Sequence, residues 1–116
     1  MPGRNGGHLT PWLFSNFRSL KKSYGTAEAA KSFLLERHTA DSLLKFVEER
    51  PGLAEKVDLV ARGMMQVMTE QADLNQAKKD WEEAEKAGVD MGKKGVRWVG
   101  RHEMVEVGRA MLIMFP

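Results

Sequence analysis

The sequence predicts an α+β fold that is mostly helical, with a short strand–turn–strand unit and a third short strand. Apolar residues recur at helical spacing over two long segments, residues 27–50 and 70–88. Between these segments, apolar residues alternate with a period of two on both sides of Gly63, a pattern typical of strands. At 116 residues the chain is about one domain and is long enough to bury a core.

Composition and charge argue against several classes of protein. With 42% apolar and 29% charged residues the chain is globular rather than disordered. The net charge of +2 comes from 18 basic residues scattered among 16 acidic ones, whereas a nucleic-acid-binding surface favours a basic stripe. We therefore expect no nucleic-acid partner, even at the basic pairs Lys21–Lys22 and Lys93–Lys94. The absence of cysteine excludes disulfides and thiolate chemistry.

Targeting and membrane signals are also missing from the sequence. The first residues lack the apolar core of a signal peptide, and no apolar run approaches the roughly 18 to 20 residues of a membrane span. We expect a soluble, cytoplasmic chain with no membrane partner.

Residues 1–10 form a glycine-rich loop. Gly3 to His8 contains three glycines, an arginine, an asparagine and a histidine. Glycine adopts backbone dihedrals that other residues avoid and has no side chain, so such a run suits a backbone held close to a ligand. On its own, this is a weak signal for a site.

Two helices are expected in residues 11–52. Thr10 as N-cap and Pro11 at the first helical position predict the start of the first helix, and Gly25 predicts its end. Thr26 caps the second helix, and Pro51–Gly52 ends it. A polar notch at residues 36–39 leaves two readings of this segment, one continuous helix or a break at Thr39. The apolar face of the first helix comprises Leu13, Phe17, Leu20 and Tyr24. The apolar face of the second helix comprises Ala30, Phe33, Ala40, Leu44 and Val47, and Arg37 lies on the same side.

The strands are expected in residues 53–106. Residues 57–61 and 65–67 predict two short strands joined by a turn, or one strand with a bulge, and residues 96–100 predict the third. Between them, Thr69 caps a helix that ends at Gly88, with Val89 as the apolar contact of a Schellman-type ending. Lys79 and Glu83 are spaced to pair on its outer side. Residues 101–108 predict one or two helical turns, and residues 107–116 an apolar tail.

Other chemical motifs are lacking. His8, His38 and His102 are far apart, and no metal-ligand spacing links them to carboxylates, so we expect no metal site. The sequence has neither a GxSxG elbow nor a GxxxxGK[ST] phosphate loop.

The order of several segments resembles the FAD-dependent oxidoreductases of the D-amino-acid oxidase type, which include glycine, sarcosine and glutamyl-polyamine oxidases. These segments are GRNGGHLTP, an aromatic-rich helix, YG, a second helix containing LERHT, and GVDM followed by VRWVGRHEM. They extend over about residues 3–106, and GRNGGH is the most specific among them. In this family a GRNGG-like segment follows the dinucleotide-binding unit and passes along the flavin.

The resemblance implies a flavin-side segment at Arg4, Asn5, Gly6, Gly7 and His8. The glycines would give backbone access to FAD, Arg4 or Asn5 would supply polar contacts, and His8 would lie near the flavin ring or the substrate entrance. It also implies an amine or amino acid as substrate, oxidised by hydride transfer to the flavin, with residues 53–106 forming part of a substrate domain. The catalytic residues are not implied.

The sequence departs from the family pattern in the part that binds the cofactor. The family's GxGxxG turn, which places the pyrophosphate at a helix N-terminus, does not occur in these 116 residues. We therefore expect an internal fragment of the two-domain fold that binds FAD weakly or not at all and has little activity alone. The alternative is a small helical protein-interaction module that associates with itself or with another protein through its helix faces and residues 110–116.

Overall fold

The computed structural model describes residues 7–61, 63, 65–93 and 95–106. Four helices follow one another along these residues: α1 (Phe17–Tyr24), α2 (Thr26–Glu48), α3 (Leu53–Lys56) and α4 (Gln71–Lys86). Residues 101–106 are also helical. Helix α1 packs against both α2 and α4, and α3 packs against α2.

The predicted α+β fold class is wrong, because the described part of the chain is helical and contains no strand. The expected strands at residues 57–61, 65–67 and 96–100 are irregular wherever they are described. Their alternation covers only two or three apolar positions, and Val57, Val60 and Val67 are more than half exposed instead of lying on a buried sheet face. A strand also needs a partner for its backbone hydrogen bonds, and α2 and α4 on either side already satisfy theirs internally.

Helix α1 begins later than Thr10–Pro11 predicts. Asn16, in the left-handed region at φ 65°, precedes the first helical residue, and the Phe17 amide donates to the Phe14 carbonyl at 3.1 Å. The backbone N–H of Trp12 donates instead to the Glu36 carboxylate at 2.9 Å, so this part of the chain is bound to α2. Gly25, at φ 88°, ends α1 as predicted and leads directly into α2.

The continuous reading of α2 is confirmed, and the break at Thr39 does not occur. The polar notch is accommodated because its hydroxyls bond within the helix. Thr39 Oγ1 donates to the Leu35 carbonyl at 2.9 Å, and Ser42 Oγ donates to the His38 carbonyl at 2.7 Å.

Helix α4 begins two residues after Thr69, and Glu70 occupies the N-cap position without a capping side-chain bond. Its C-terminus follows the prediction. The Val89 amide donates to the Ala84 carbonyl and the Gly88 amide to the Glu85 carbonyl, both at 3.0 Å, which is the Schellman pattern. Gly88 has φ 88°, and Val89 is fully buried.

The core lies where α1, α2 and α4 meet. Half of the eight side chains in its buried cluster, Phe17, Ala30, Phe33 and Ala84, lie at the helical spacings found in the sequence, whereas Tyr24, the last residue of the first face, is 69% exposed. The segment after α4 closes the core with Val89 and Met91. The buried cluster comprises Phe14, Phe17, Ala29, Ala30, Phe33, Ala84, Val89 and Met91.

No helix in the described ranges is both long and apolar enough to cross a membrane.

Candidate functional site

The flavin-side segment expected at residues 4–8 is described only in part. Arg4, Asn5 and Gly6 lie outside the described residues, whereas Gly7 and His8 are described and exposed. Gly7 has φ 67°, a conformation that L side chains rarely adopt, and a Cβ at this position would meet no atom within 4 Å. Glycine is therefore favoured here by backbone conformation and not by crowding.

The chain after this segment connects it to the helices. The Trp12 N–H···Glu36 bond joins the N-terminal segment to α2, and Phe14 enters the core two residues later. Leu9 and Trp12 remain 45% and 57% exposed. The described part of the segment thus lies on the surface, beside a helical core that positions its C-terminal end.

An ionic contact joins α1 to α4. Asp80 is 8% exposed, and its Oδ1 accepts the backbone N–H of Arg18 at 3.0 Å and the Arg18 Nε–H at 3.1 Å. The Arg18 guanidinium also donates to Gln76 Oε1. A nearly buried carboxylate requires such partners, since burial of an unpaired charge is costly.

One helical turn further along α1, Lys21 binds α4 a second time. Its Nζ lies 2.6 Å from Glu83 Oε2, and Lys86 Nζ lies 3.0 Å from the other carboxylate oxygen. The hydrogen bond from Lys21, reinforced by that from Lys86, lowers the pKa of Glu83 from 4.5 to about 2. Glu83 therefore pairs with Lys21 and Lys86, and the predicted Lys79–Glu83 pair is not formed.

A cleft of about 480 Å³ opens beside these contacts, between α1 and α4. Four cationic side chains and two carboxylates line it: Arg18, Lys21, Lys22, Lys79, Glu82 and Glu83. Because Arg18 and Lys21 are paired with α4 carboxylates, their charges hold the two helices together. Of the basic pairs considered for nucleic acid, Lys21 is engaged here, Lys93 lies beside Asp90, and Lys94 is outside the described residues.

Three aromatic rings join the segment before α1, helix α4 and the segment that follows α4. Phe14 meets Trp81 edge-to-face with ring centroids 5.2 Å apart, and Trp98 lies 5.3 Å from Trp81 and 5.8 Å from Phe14. Trp98 is 39% exposed, so this cluster reaches the surface. Next to it, Arg97 forms two hydrogen bonds to Glu103 and lowers the pKa of that carboxyl.

The sequence reading did not identify the Arg18–Asp80 contact, although a signal for it exists. Asp80 lies three residues after Ala77 and four before Ala84, on the apolar face of α4. A carboxylate at such a position predicts a buried partner. The sequence does not identify Arg18 as that partner, because the two residues are 62 positions apart.

Within the described ranges, no three histidine, aspartate or glutamate side chains come together in an arrangement that could hold a metal ion. His8, His38 and His102 are each exposed.

No family model matches this chain, and no curated protein or solved structure is significantly similar to it.

Proposed function

We propose that this chain is part of an FAD-dependent oxidoreductase that oxidises an amine or amino acid by hydride transfer to the flavin. The observation that carries this proposal is the run Gly3-Arg4-Asn5-Gly6-Gly7-His8, with its resemblance to the flavin-side segment of the D-amino-acid oxidase type. The positive φ of Gly7 supports it, because a segment held close to a ligand needs backbone conformations that glycine adopts readily.

In this proposal the flavin carries out the redox chemistry, and the protein positions it and adjusts its electrostatic surroundings. Arg4 and Asn5 supply polar contacts, Gly6 and Gly7 supply backbone access, and His8 lies toward the flavin ring or the substrate entrance. The helical core holds the chain that follows this segment through Phe14 and through the bond from Trp12 to Glu36.

The coding DNA upstream of the Met1 codon tests the family assignment. The proposal expects a reading frame that encodes a strand followed by GxGxxG and a helix, because that turn binds the pyrophosphate. The protein expressed from such a frame should carry stoichiometric FAD. If no frame encodes the turn, or if the extended protein carries no flavin, the assignment fails.

Flavin binding by the 116-residue chain is a separate prediction. Without a GxGxxG turn, we expect FAD to bind weakly or not at all, and any flavin to be lost on dialysis. The measurement is the flavin absorbance that remains on the protein after dialysis. Stoichiometric, dialysis-resistant flavin would contradict the prediction.

If the chain does retain flavin, Gly7→Ala should reduce the amount of flavin retained. Gly100→Ala should not, because Gly100 has an ordinary backbone conformation and no atom lies near the position of its Cβ.

A second candidate function, a small helical protein-interaction module, is favoured by the apolar side chains exposed on α2. Leu35 is 65% exposed, and Leu43 and Phe46 are each about half exposed. The helix faces and residues 110–116 are the two surfaces considered for association. Light scattering on the full chain and on a form that lacks the last eight residues shows which of them is responsible. A clean monomer at every concentration would remove the basis of this candidate.

A further inference from the structure

Helix α2 has apolar side chains on two opposite faces. One face places Ala30, Phe33 and Ala40 in the core. The other presents Leu35, Leu43 and Phe46, at spacings of eight and three residues that bring them onto one side of the helix. We call this second surface the outer face of α2. It comprises Glu28, Leu35, Thr39, Leu43 and Phe46 of α2, together with Arg50 just after the end of the helix, all of them exposed.

The outer face is self-complementary about Thr39. Leu35 lies four residues before Thr39 and Leu43 four residues after it, and Glu28 and Arg50 lie eleven residues before and after. When two identical helices pack antiparallel about a two-fold axis at Thr39, residues equally far on either side of it face each other. Leu35 then meets the partner's Leu43, and Glu28 meets the partner's Arg50.

We propose that a second copy of this chain covers the outer face, with the two α2 helices antiparallel and Thr39 at the two-fold axis. The charges favour this occupant and this direction. An antiparallel pair brings each Glu28 to an Arg50, with Lys31 near Glu49 on the flank, whereas a parallel pair places like charges opposite each other. At 23 residues, α2 offers about 35 Å of contact length.

Within one copy, the side chains of Glu28 and Arg50 already make contacts, but these contacts do not prevent pairing with a second copy. Glu28 binds Lys31 at 2.7 Å, with both side chains more than half exposed, and such surface pairs contribute little. Arg50 stacks over the Phe46 ring at 3.5 Å and its Nη1 donates to the Phe46 carbonyl at 2.8 Å, which holds it beside the apolar side chains at the end of α2. Dimerisation would also cover Leu35, Leu43 and Phe46, the exposed apolar side chains that lack a purpose in a monomer.

Charge reversal tests the antiparallel arrangement. We expect Glu28→Arg and Arg50→Glu each to weaken the dimer about five- to tenfold, because each symmetric dimer contains the altered pair twice. The double variant should return to the wild-type dissociation constant. The measurement is sedimentation equilibrium of the full chain over a range of concentrations, with circular dichroism to verify the helix content. A wild-type chain that stays monomeric, or a double variant weaker than both single variants, would overturn the proposal.

Cross-linking locates the two-fold axis. Because the chain has no cysteine, Thr39→Cys introduces a single thiol at the proposed axis. A short bismaleimide should convert this variant to a covalent dimer. The matched control is Lys78→Cys, which places a thiol on an exposed position of α4 and should remain monomeric. Equal cross-linking of the two variants would contradict the arrangement.

This inference goes beyond the proposed oxidoreductase function, and the two can fail separately. The flavin experiments concern residues 3–8 and an upstream turn, whereas these experiments concern α2 alone. Self-association through residues 110–116 would leave the dissociation constant unchanged on charge reversal, and that result would also overturn the proposal.

Discussion

At the scale of single residues, Asp80 contributes most to the joining of α1 and α4. Its nearly buried carboxylate accepts two hydrogen bonds from Arg18, and hydrogen bonds to a charged group each contribute about 1.5–3 kcal/mol. Asp80→Ala is expected to lower the free energy of unfolding by about 2–3 kcal/mol in urea denaturation. Asp41→Ala is the control, since Asp41 forms an exposed pair with Arg37 and its loss should cost less than about 0.5 kcal/mol. Equal losses would contradict this role.

The loss of folding stability at acidic pH is expected to depend on Glu83. Because its pKa is lowered from 4.5 to about 2 in the folded chain, its contribution is present above pH 4.5 and is lost as the pH falls toward 2. Glu83→Gln should therefore be less stable than the wild type at neutral pH, and the difference should shrink steadily between pH 4.5 and 2. Thermal unfolding followed by circular dichroism at a series of pH values measures it.

The control for this prediction is Glu82→Gln, an exposed neighbour on the same helix. Its difference from the wild type should change far less over the same pH interval. A pH-independent effect of Glu83→Gln would show that the Lys21–Glu83 contact does not stabilise the fold.

At the scale of elements, the end of α4 depends on one glycine. Gly88 has φ 88°, and nothing lies within 4 Å of the position a Cβ would take, so the cost of a side chain is conformational. Gly88→Ala is expected to destabilise the chain by about 1–2 kcal/mol. Gly100→Ala, also in open space but without a positive φ, should change stability by less than about 0.5 kcal/mol. Equal effects in denaturation experiments would contradict a left-handed requirement at Gly88.

Helices α1, α2 and α4 were predictable because local signals agree with packing, whereas α3, a single turn of four residues, was not predicted. Ala77, Trp81 and Ala84 of the apolar stripe of α4 pack in the core, and the Gly88–Val89 ending forms as expected. Helix starts were less predictable, since the expected caps Thr10, Thr26 and Thr69 are not used. At Thr10, tertiary contacts prevail over the local capping signal, because the Trp12 N–H bonds to Glu36 and the chain turns at Asn16 before α1 begins.

The strands could not be predicted reliably from two or three alternating residues. Val57, Val60 and Val67 fit the period of a strand, but they are exposed and no sheet forms around them in the described ranges. For the site, the sequence identified the glycine-rich run, and Gly7 has the positive φ that such a run suggests. The Arg18–Asp80 contact was missed because pairing over 62 positions leaves no periodic pattern in the sequence.

At the scale of the whole molecule, the chain is less compact than its length allows. Its radius of gyration is 16.7 Å, against about 13 Å for a compact domain of this size. The core lies at the junction of α1, α2 and α4, and α3 packs along α2. Apolar side chains are exposed on α2 and at Val57, Val60, Met65 and Val67. The proposed second copy would cover those on the outer face of α2.

We expect the contacts between α1 and α4 to form late in folding. Arg18–Asp80 and Lys21–Glu83 each close a loop of 62 positions, whereas α1 and α2 are adjacent in the chain. Closing a loop of this length costs roughly 3–4 kcal/mol of chain entropy before any contact compensates for it. The α1–α2 pair is therefore expected to form first and α4 to dock in a later, slower step. By the same argument, undocking of α4 would expose Phe14, which packs against Trp81, to water.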